Sequence, residues 1–318
     1  MTSGERRFVD LHAHSTASDG TLSPRELIDL AERCRLAAVA LTDHDTVYGL
    51  AEAAAAAGEH ADLAFVPGIE LSAEPPCGTL HVLGLGIDAD APSILEAAAF
   101  MREGRRERNR AIVEKLQSLG LPINMEDVLA AAGFPCGDAR TASGREGGTP
   151  SGGSEAPSGE AADADAVIGR MHIAAALHRK GCVPHAREAF RRYIAKGGPA
   201  YVNRRRLTPR RSADAIRAAG GLAVAAHPVQ LGCGNRAQYE RVFRDLRRAG
   251  IEAIEAYHSD HTPELTRLFI DLARKLGMGL TGGSDFHGTG KPDVRLGYPR
   301  VPAAVVPEEL LENGPPRP

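Results

Sequence analysis

The 318-residue sequence contains no tryptophan, and aromatic residues make up only 4% of it. An extended base-stacking platform for single-stranded nucleic acid is therefore not expected. Cysteine is sparse: Cys34, Cys77, Cys136, Cys182 and Cys233 are scattered without C-x-x-C spacing. That pattern argues against a zinc ribbon or a disulfide framework and predicts buried or half-buried free thiols in a reducing compartment. Charge of one sign is also lacking, since 38 basic and 41 acidic residues leave a net charge of −3. No global field pulls the chain toward nucleic acid or membrane, so any phosphate affinity must be local. The basic runs Arg102 to Arg110, Arg204-Arg205-Arg206 and Arg210-Arg211 read as solvated faces, balanced by Glu103, Glu107 and Glu114. No apolar run is long enough to span a bilayer, and the chain reaches Asp10 and His12 without an apolar leader-like segment. A cytoplasmic protein without membrane contact, and with no obligate protein partner, is expected.

What is present is a succession of short apolar runs near 8–12, 37–42, 63–69, 79–87, 222–226, 251–256 and 278–282, most of them followed by helical periodicity. Strand alternating with helix predicts an α/β fold with a mainly parallel sheet, and this number of strands favours a barrel over an open sheet. Ser23 before Pro24, with Glu26 three residues after the cap, marks the start of the first helix. Residues 1–91 and 201–306 are expected to form the barrel, and 92–200 a helical insertion. Within that insertion, Gly137 to Asp165 has almost no large apolar side chain to offset its ordering entropy and is expected to be a disordered loop. Residues 307–318 are expected to be a flexible tail.

Chemistry gathers at the strand ends. Phe8-Val9-Asp10-Leu11-His12-Ala13-His14 places two imidazoles two residues apart, so both project to one face, and Ser18-Asp19-Gly20 follows. The second strand ends in Leu41-Thr42-Asp43-His44-Asp45, the third in Ile69-Glu70, the fifth in His227-Pro228 and the seventh in Ser284-Asp285-Phe286-His287; the fourth carries His81. A glutamate ending an apolar strand is costly to bury unless a cation or donor compensates it. In a parallel barrel the carboxyl ends converge on one rim, so these residues are candidate ligands of a shared metal centre. His258 and His261 follow the sixth strand on the same rim and are candidates for leaving-group or phosphate contact.

The order His12-x-His14, Asp19, Asp43-His44, Glu70, His81, His227 and Asp285-x-His287, with Leu11 to Pro24 and Leu41 to Thr46 as long continuous phrases, resembles the PHP (polymerase and histidinol phosphatase) family, in particular its TrpH-like nucleotide phosphoesterases. The resemblance runs from about Phe8 to about Arg300. It implies a distorted (β/α)7 barrel with a small helical insertion domain, and two to three divalent ions, Mn²⁺ first, with Fe²⁺ or Zn²⁺ as alternatives. It further implies that His12, His14, Glu70 and Asp285 hold one ion, that Glu70 with His81 and His227 holds a second, and that Asp19, His44 and His287 hold a third. Asp43 would orient the ligands. Arg170 and His172, at the start of a helix, and Lys196 would contact a substrate phosphate. The implied activity is removal of the 3′-phosphate of 3′,5′-bisphosphonucleotides such as adenosine 3′,5′-bisphosphate (pAp), and hydrolysis of short 5′-phosphorylated RNA, by attack of a hydroxide bridging two ions. The alternatives are a histidinol-phosphate-type or cyclic-phosphodiester phosphoesterase, or a metal-binding PHP module without turnover that serves regulation.

Overall fold

The computed structural model describes residues 8–133 and 167–312. The loop expected at 137–165, Cys136 and residues 313–318 of the expected tail lie outside the described residues. The chain divides into two compact units, Met1–Glu103 with Arg205–Pro318, and Gly104–Arg204.

The first unit is built on a sheet in which β1 (Phe8–Asp10), β2 (Ala38–Leu41), β3 (Ala64–Ala73), β4 (Leu80–Leu85), β5 (Leu222–Ala225), β6 (Ala253–His258) and β7 (Gly279–Gly283) lie in sequence order, with β8 (Val301–Pro302) beyond β1. The edge of β1 is shared. Its start pairs antiparallel with β8, Val9 opposite Val301. Just past its end, Leu11 N–H donates to Gly282 O at 3.1 Å and Asp285 N–H to His12 O at 2.9 Å, so β7 closes the sheet into a nearly complete barrel. Closure needs a bare backbone at Gly283, where a Cβ would stand 2.4 Å from both Cβ and N of His12.

The expectation of a mainly parallel sheet holds except at two strands. β4 runs antiparallel to both β3 and β5, because the short link from Ala73 to Leu80 allows a return but not a crossover. His81 therefore reaches the ligand-bearing rim from the start of its strand rather than the end. β8 is only two residues long and contains Pro302, and the apolar run Val301 to Val306 lacks the alternation that would announce a strand.

Alternation along the strands sorts the side chains. Val66, Leu83, Leu85, Val224 and Ala253 fill the barrel with Val9, Leu11, Ala38 and Ala40. Phe65, Ile69, Leu71 and Val82 face the surrounding helices, where Leu27, Ile28, Phe243 and Phe269 pack on them. The Pro24–Arg33 helix begins as its sequence predicts: Ser23 Oγ accepts the Glu26 N–H at 3.2 Å and Glu26 returns the bond to Ser23 N–H at 2.8 Å. The expected tail is helical over Glu309–Glu312, because Leu310 is buried among the barrel residues. Cys34 is exposed rather than buried, while Cys77, Cys182 and Cys233 are half-buried free thiols.

The second unit is helical. The later part of Pro92–Ser118, with Met125–Ala131 and Arg170–Arg179, packs around Ile112, Leu116, Val128, Ile173 and Leu177. Arg105 and Arg108 are buried here rather than solvated; Arg108 donates to Asn109 Oδ1 at 2.8 Å, and Asn109 donates to Ile168 O at 2.9 Å. Among the described residues no helix is long and apolar enough to cross a membrane.

Candidate metal centre

Glu70 stands at the centre of the barrel rim, fully buried, and its two oxygens face different histidines. Oε1 lies 2.8 Å from His81 Nδ1 and 2.9 Å from His227 Nε2. Oε2 lies 2.8 Å from His44 Nδ1, 3.3 Å from His14 Nε2 and 3.5 Å from His12 Nε2. Asp285 Oδ1 joins the second group at 3.2 Å from His14 Nε2 and 3.6 Å from His12 Nε2. Farther along the rim, His287 Nε2 is 3.2 Å from Asp19 Oδ1, and His44 and His14 close the set. All nine residues expected from the strand ends are thus brought together in the first unit. Two groupings differ from the expected division. His14 stands with Asp19, His44 and His287 as well as with His12 and Glu70, and His44 groups with Glu70 and His81.

The arrangement fits divalent cations. Two donors each about 2.1 Å from one ion stand about 3.0–3.4 Å apart at tetrahedral or octahedral angles, which is the spacing of His14 Nε2 from Glu70 and Asp285. His12 Nε2, both ring nitrogens of His14 and Glu70 Oε2 are buried without a hydrogen bond of good geometry, a costly state that a cation would relieve. The ring nitrogens are also oriented for ligation. His12 gives its Nδ1–H to Glu255 Oε1 at 2.9 Å, and His287 gives its own to Asp285 O at 2.8 Å, which leaves each Nε2 lone pair facing the cluster.

Protonation follows the same logic. Burial, aided by His287 and His44, drives His14 down to about 3, so it stays a neutral donor. Burial likewise lowers His81 to about 4 against the pull of Glu70. Burial alone would raise Glu70, yet His44, His81 and His12 hold it well below its ordinary value. Asp285 and Asp19 are held down in the same way, against burial, by the imidazoles around them. Among the described residues, three of the four non-glycine residues with positive φ are Asp45 (54°), His227 (27°) and Asp285 (58°), so backbone strain concentrates at this rim.

Asp43 orients a loop rather than a reacting group. Its Oδ1 accepts the Ser15 N–H at 2.8 Å and the Ser18 hydroxyl at 2.5 Å, and its Oδ2 accepts the Ser15 hydroxyl at 2.6 Å. Burial outweighs these bonds and raises its carboxyl to about 6. The loop it fixes delivers Asp19, and its tight return needs Gly20, where a Cβ would meet His14 O at 2.4 Å.

Two participants lie outside the residues that the sequence singles out. Glu255 is fully buried in β6 and binds the His227 N–H at 2.6 Å as well as His12. Lys291 places Nζ 2.5 Å from Asp285 Oδ2, from a Gly-Thr-Gly-Lys-Pro loop that reads as a solvent turn. His258 is buried on the rim, its Nε2 3.6 Å from Asp285 Oδ2, while His261 gives its Nδ1 to Ala256 O at 2.9 Å and lays its ring against Phe269. Arg170, His172 and Lys196 belong to the second unit. Arg170 donates to Ile194 O at 3.2 Å and lies over the rings of Phe190 and Tyr201, His172 Nδ1 accepts the Gly169 N–H at 3.1 Å, and Lys196 is exposed.

Residues 10–118 match the PHP domain. A 3′,5′-nucleoside bisphosphate phosphatase of Chromobacterium violaceum is 34% identical over 290 residues, 91% of this chain and 90% of the relative. The chain belongs to the PHP family. It is a metal-binding hydrolase of phosphoester bonds, as that family's fold and the ligand cluster together establish. A second relative, a 5′-3′ exoribonuclease of Haemophilus influenzae, is 29% identical over 278 residues, 87% of this chain and 89% of the relative. A solved structure from Chromobacterium violaceum, described as an amidohydrolase with bound sulfate and no metal, superposes with a TM-score of 0.75 at 32% identity, covering 95% of each chain.

Proposed function

We propose that this PHP protein removes the 3′-phosphate of 3′,5′-bisphosphonucleotides of the pAp type, with short 5′-phosphorylated oligoribonucleotides as a second substrate class. The observation that carries the reading is Glu70, a buried carboxylate whose two oxygens each meet a separate set of histidines, as a bridge between two cations requires. The substrate class rests on the activity of the Chromobacterium relative, and the sulfate in the structure from that organism is in keeping with a phosphate-sized anion site.

In this reading His12, His14, Glu70 and Asp285 hold one ion, Glu70, His81 and His227 a second, and Asp19, His44 and His287 a third. The mixed nitrogen and oxygen donors suit Mn²⁺, and also Fe²⁺ or Zn²⁺. Such ions supply a nucleophile at neutral pH and neutralise charge on phosphoryl oxygens. The chain's own part is to hold these donors in place: Glu255 orients His12 and His227, and Asp43 fixes the Ser15–Asp19 loop. Arg170 and His172, with Lys196, grip the phosphate that is not cleaved, because an arginine fork matches phosphate oxygens. The substrate would come from the cytoplasmic nucleotide pool.

The test is phosphate release by protein stripped with chelator and reloaded with Mn²⁺, assayed on pAp, histidinol phosphate, a cyclic phosphodiester, short RNA and short DNA. Release that needs Mn²⁺ and is most efficient on pAp supports the reading. Preference for histidinol phosphate or the cyclic diester overturns the substrate, and no release from any substrate overturns the enzyme.

A further inference from the structure

His258 closes one side of the metal centre in a way that its position in the sequence hides. On a regular strand, residues three apart point to opposite faces. The register of β6 against β7 shifts between Glu255 and Tyr257, and this irregularity turns both Glu255 and His258 toward the buried rim. His12, Glu255 and His258 then lie close enough to look like a further ion site.

Their hydrogen bonds argue otherwise. Glu255 has committed both oxygens, one to His12 Nδ1 at 2.9 Å and the other to the His227 N–H at 2.6 Å. His258 Nδ1 accepts the backbone N–H of Asp260 at 3.0 Å. An Nδ1 that accepts leaves the ring hydrogen on Nε2, so Nε2 is a donor with no lone pair to offer a cation. His12 and His287 show the opposite arrangement, with Nδ1–H given away and Nε2 open for ligation.

The Nε2–H of His258 is buried and makes no hydrogen bond of good geometry among the described residues. Asp285 Oδ2 is the nearest charged acceptor, but it stands 3.6 Å away and is already engaged by Lys291 Nζ at 2.5 Å. A buried donor aimed at a cluster of ion ligands, with no acceptor at hydrogen-bonding distance among the described residues, is placed for an acceptor that arrives with the substrate. Resting on the phosphoesterase reading above, we propose that His258 is a fixed hydrogen-bond donor, through Nε2–H, to a phosphoryl or ester oxygen of the bound substrate, and not an ion ligand. A preorganised donor would thereby face the phosphoryl group at the position where negative charge grows. His261 does not share this role, because its Nδ1–H is spent on Ala256 O and its ring packs on Phe269.

The experiment compares wild-type protein with His258→Gln, whose side-chain amide keeps an N–H near the Nε2 position, and His258→Met, which has none. Both variants should keep the wild-type number of ions per chain by elemental analysis. His258→Met should lose about 10²–10³ in kcat on pAp, as removal of one such donor typically does, and His258→Gln should stay within about tenfold of wild type. Independently of turnover, nitrogen-15 spectra of histidine-labelled, Zn²⁺-loaded wild-type protein should show His258 protonated on Nε2 and unmetallated. An Nδ1-protonated or metallated ring, a loss of ions in His258→Gln, or equal losses of kcat in the two variants would overturn the proposal. Wild-type protein that releases phosphate from no substrate would instead overturn the function on which it rests, while leaving the spectra and ion counts to judge the donor geometry.

Discussion

Glu255 accepts a hydrogen bond from Nδ1 of His12 at 2.9 Å, and through its other oxygen it holds the backbone N–H of His227 at 2.6 Å. One carboxylate thus orients a histidine from each of the two sets that face the oxygens of Glu70. Support of this kind fixes ring orientation and raises the basicity of the ligating nitrogen. Glu255→Gln would present an amide N–H to one of these two donors. The expected result is a ten- to hundredfold loss in metal affinity, read by competition with a chromophoric chelator. Unchanged affinity would show that Glu255 only fills space.

How much of this was legible in the sequence depended on whether a residue's meaning lay in its spacing or in the backbone around it. His12-x-His14 and Asp285-x-His287 stand out because polar donors two apart at the end of an apolar run have one common direction. Glu70 stands out because a carboxylate there is costly without a counter-charge. Glu255 also sits in an apolar run, yet the register shift that turns it and His258 to the same side is set by pairing with β7, which no local pattern records. Lys291 is equally silent, since its loop is placed by contacts from distant residues, Gly297 N–H to Asp10 Oδ2 at 2.7 Å and Thr289 N–H to Thr21 Oγ1 at 2.9 Å. The direction of β4 could have been inferred from its short link to β3.

Barrel closure should be sensitive at Gly283. A methyl group there would stand 2.4 Å from His12 Cβ and N, a distance that forces β1 and β7 apart. Gly283→Ala is expected to cost about 1–3 kcal/mol or more in urea unfolding and to lower the ion content as His12 shifts. Gly58→Ala, where the nearest atom is Ala55 O at 3.4 Å, is the control and should change neither.

Recognition and chemistry should separate by substrate. His14→Ala removes one of the proposed ion ligands and should abolish turnover of every phosphoester. Arg170→Ala and His172→Ala should reduce kcat/KM on pAp by roughly ten- to hundredfold, the worth of a lost charge-assisted contact of about 1.5–3 kcal/mol. They should affect p-nitrophenyl phosphate, which has no second phosphate, much less. Equal losses on both substrates, or none on either, would remove Arg170 from the phosphate grip.

Chelation should act on both stability and activity. The donors at the rim are buried close together, so ions that bind only the folded chain stabilise it by mass action. Exhaustive chelation is expected to lower the thermal midpoint and to stop phosphate release, with both restored by Mn²⁺. A chelated protein with an unchanged midpoint and full activity would contradict this.

The most direct test of the account is the number of ions held per chain. Glu70 has His81 and His227 at one oxygen and His12, His14 and His44 at the other, and the proposed function makes it the bridge between two cations. Elemental analysis of protein purified without chelator and equilibrated with Mn²⁺ should find at least two tightly held ions per chain, falling by at least one in Glu70→Ala. One ion or fewer in the wild-type protein, or no change on replacing Glu70, would contradict the bridged centre.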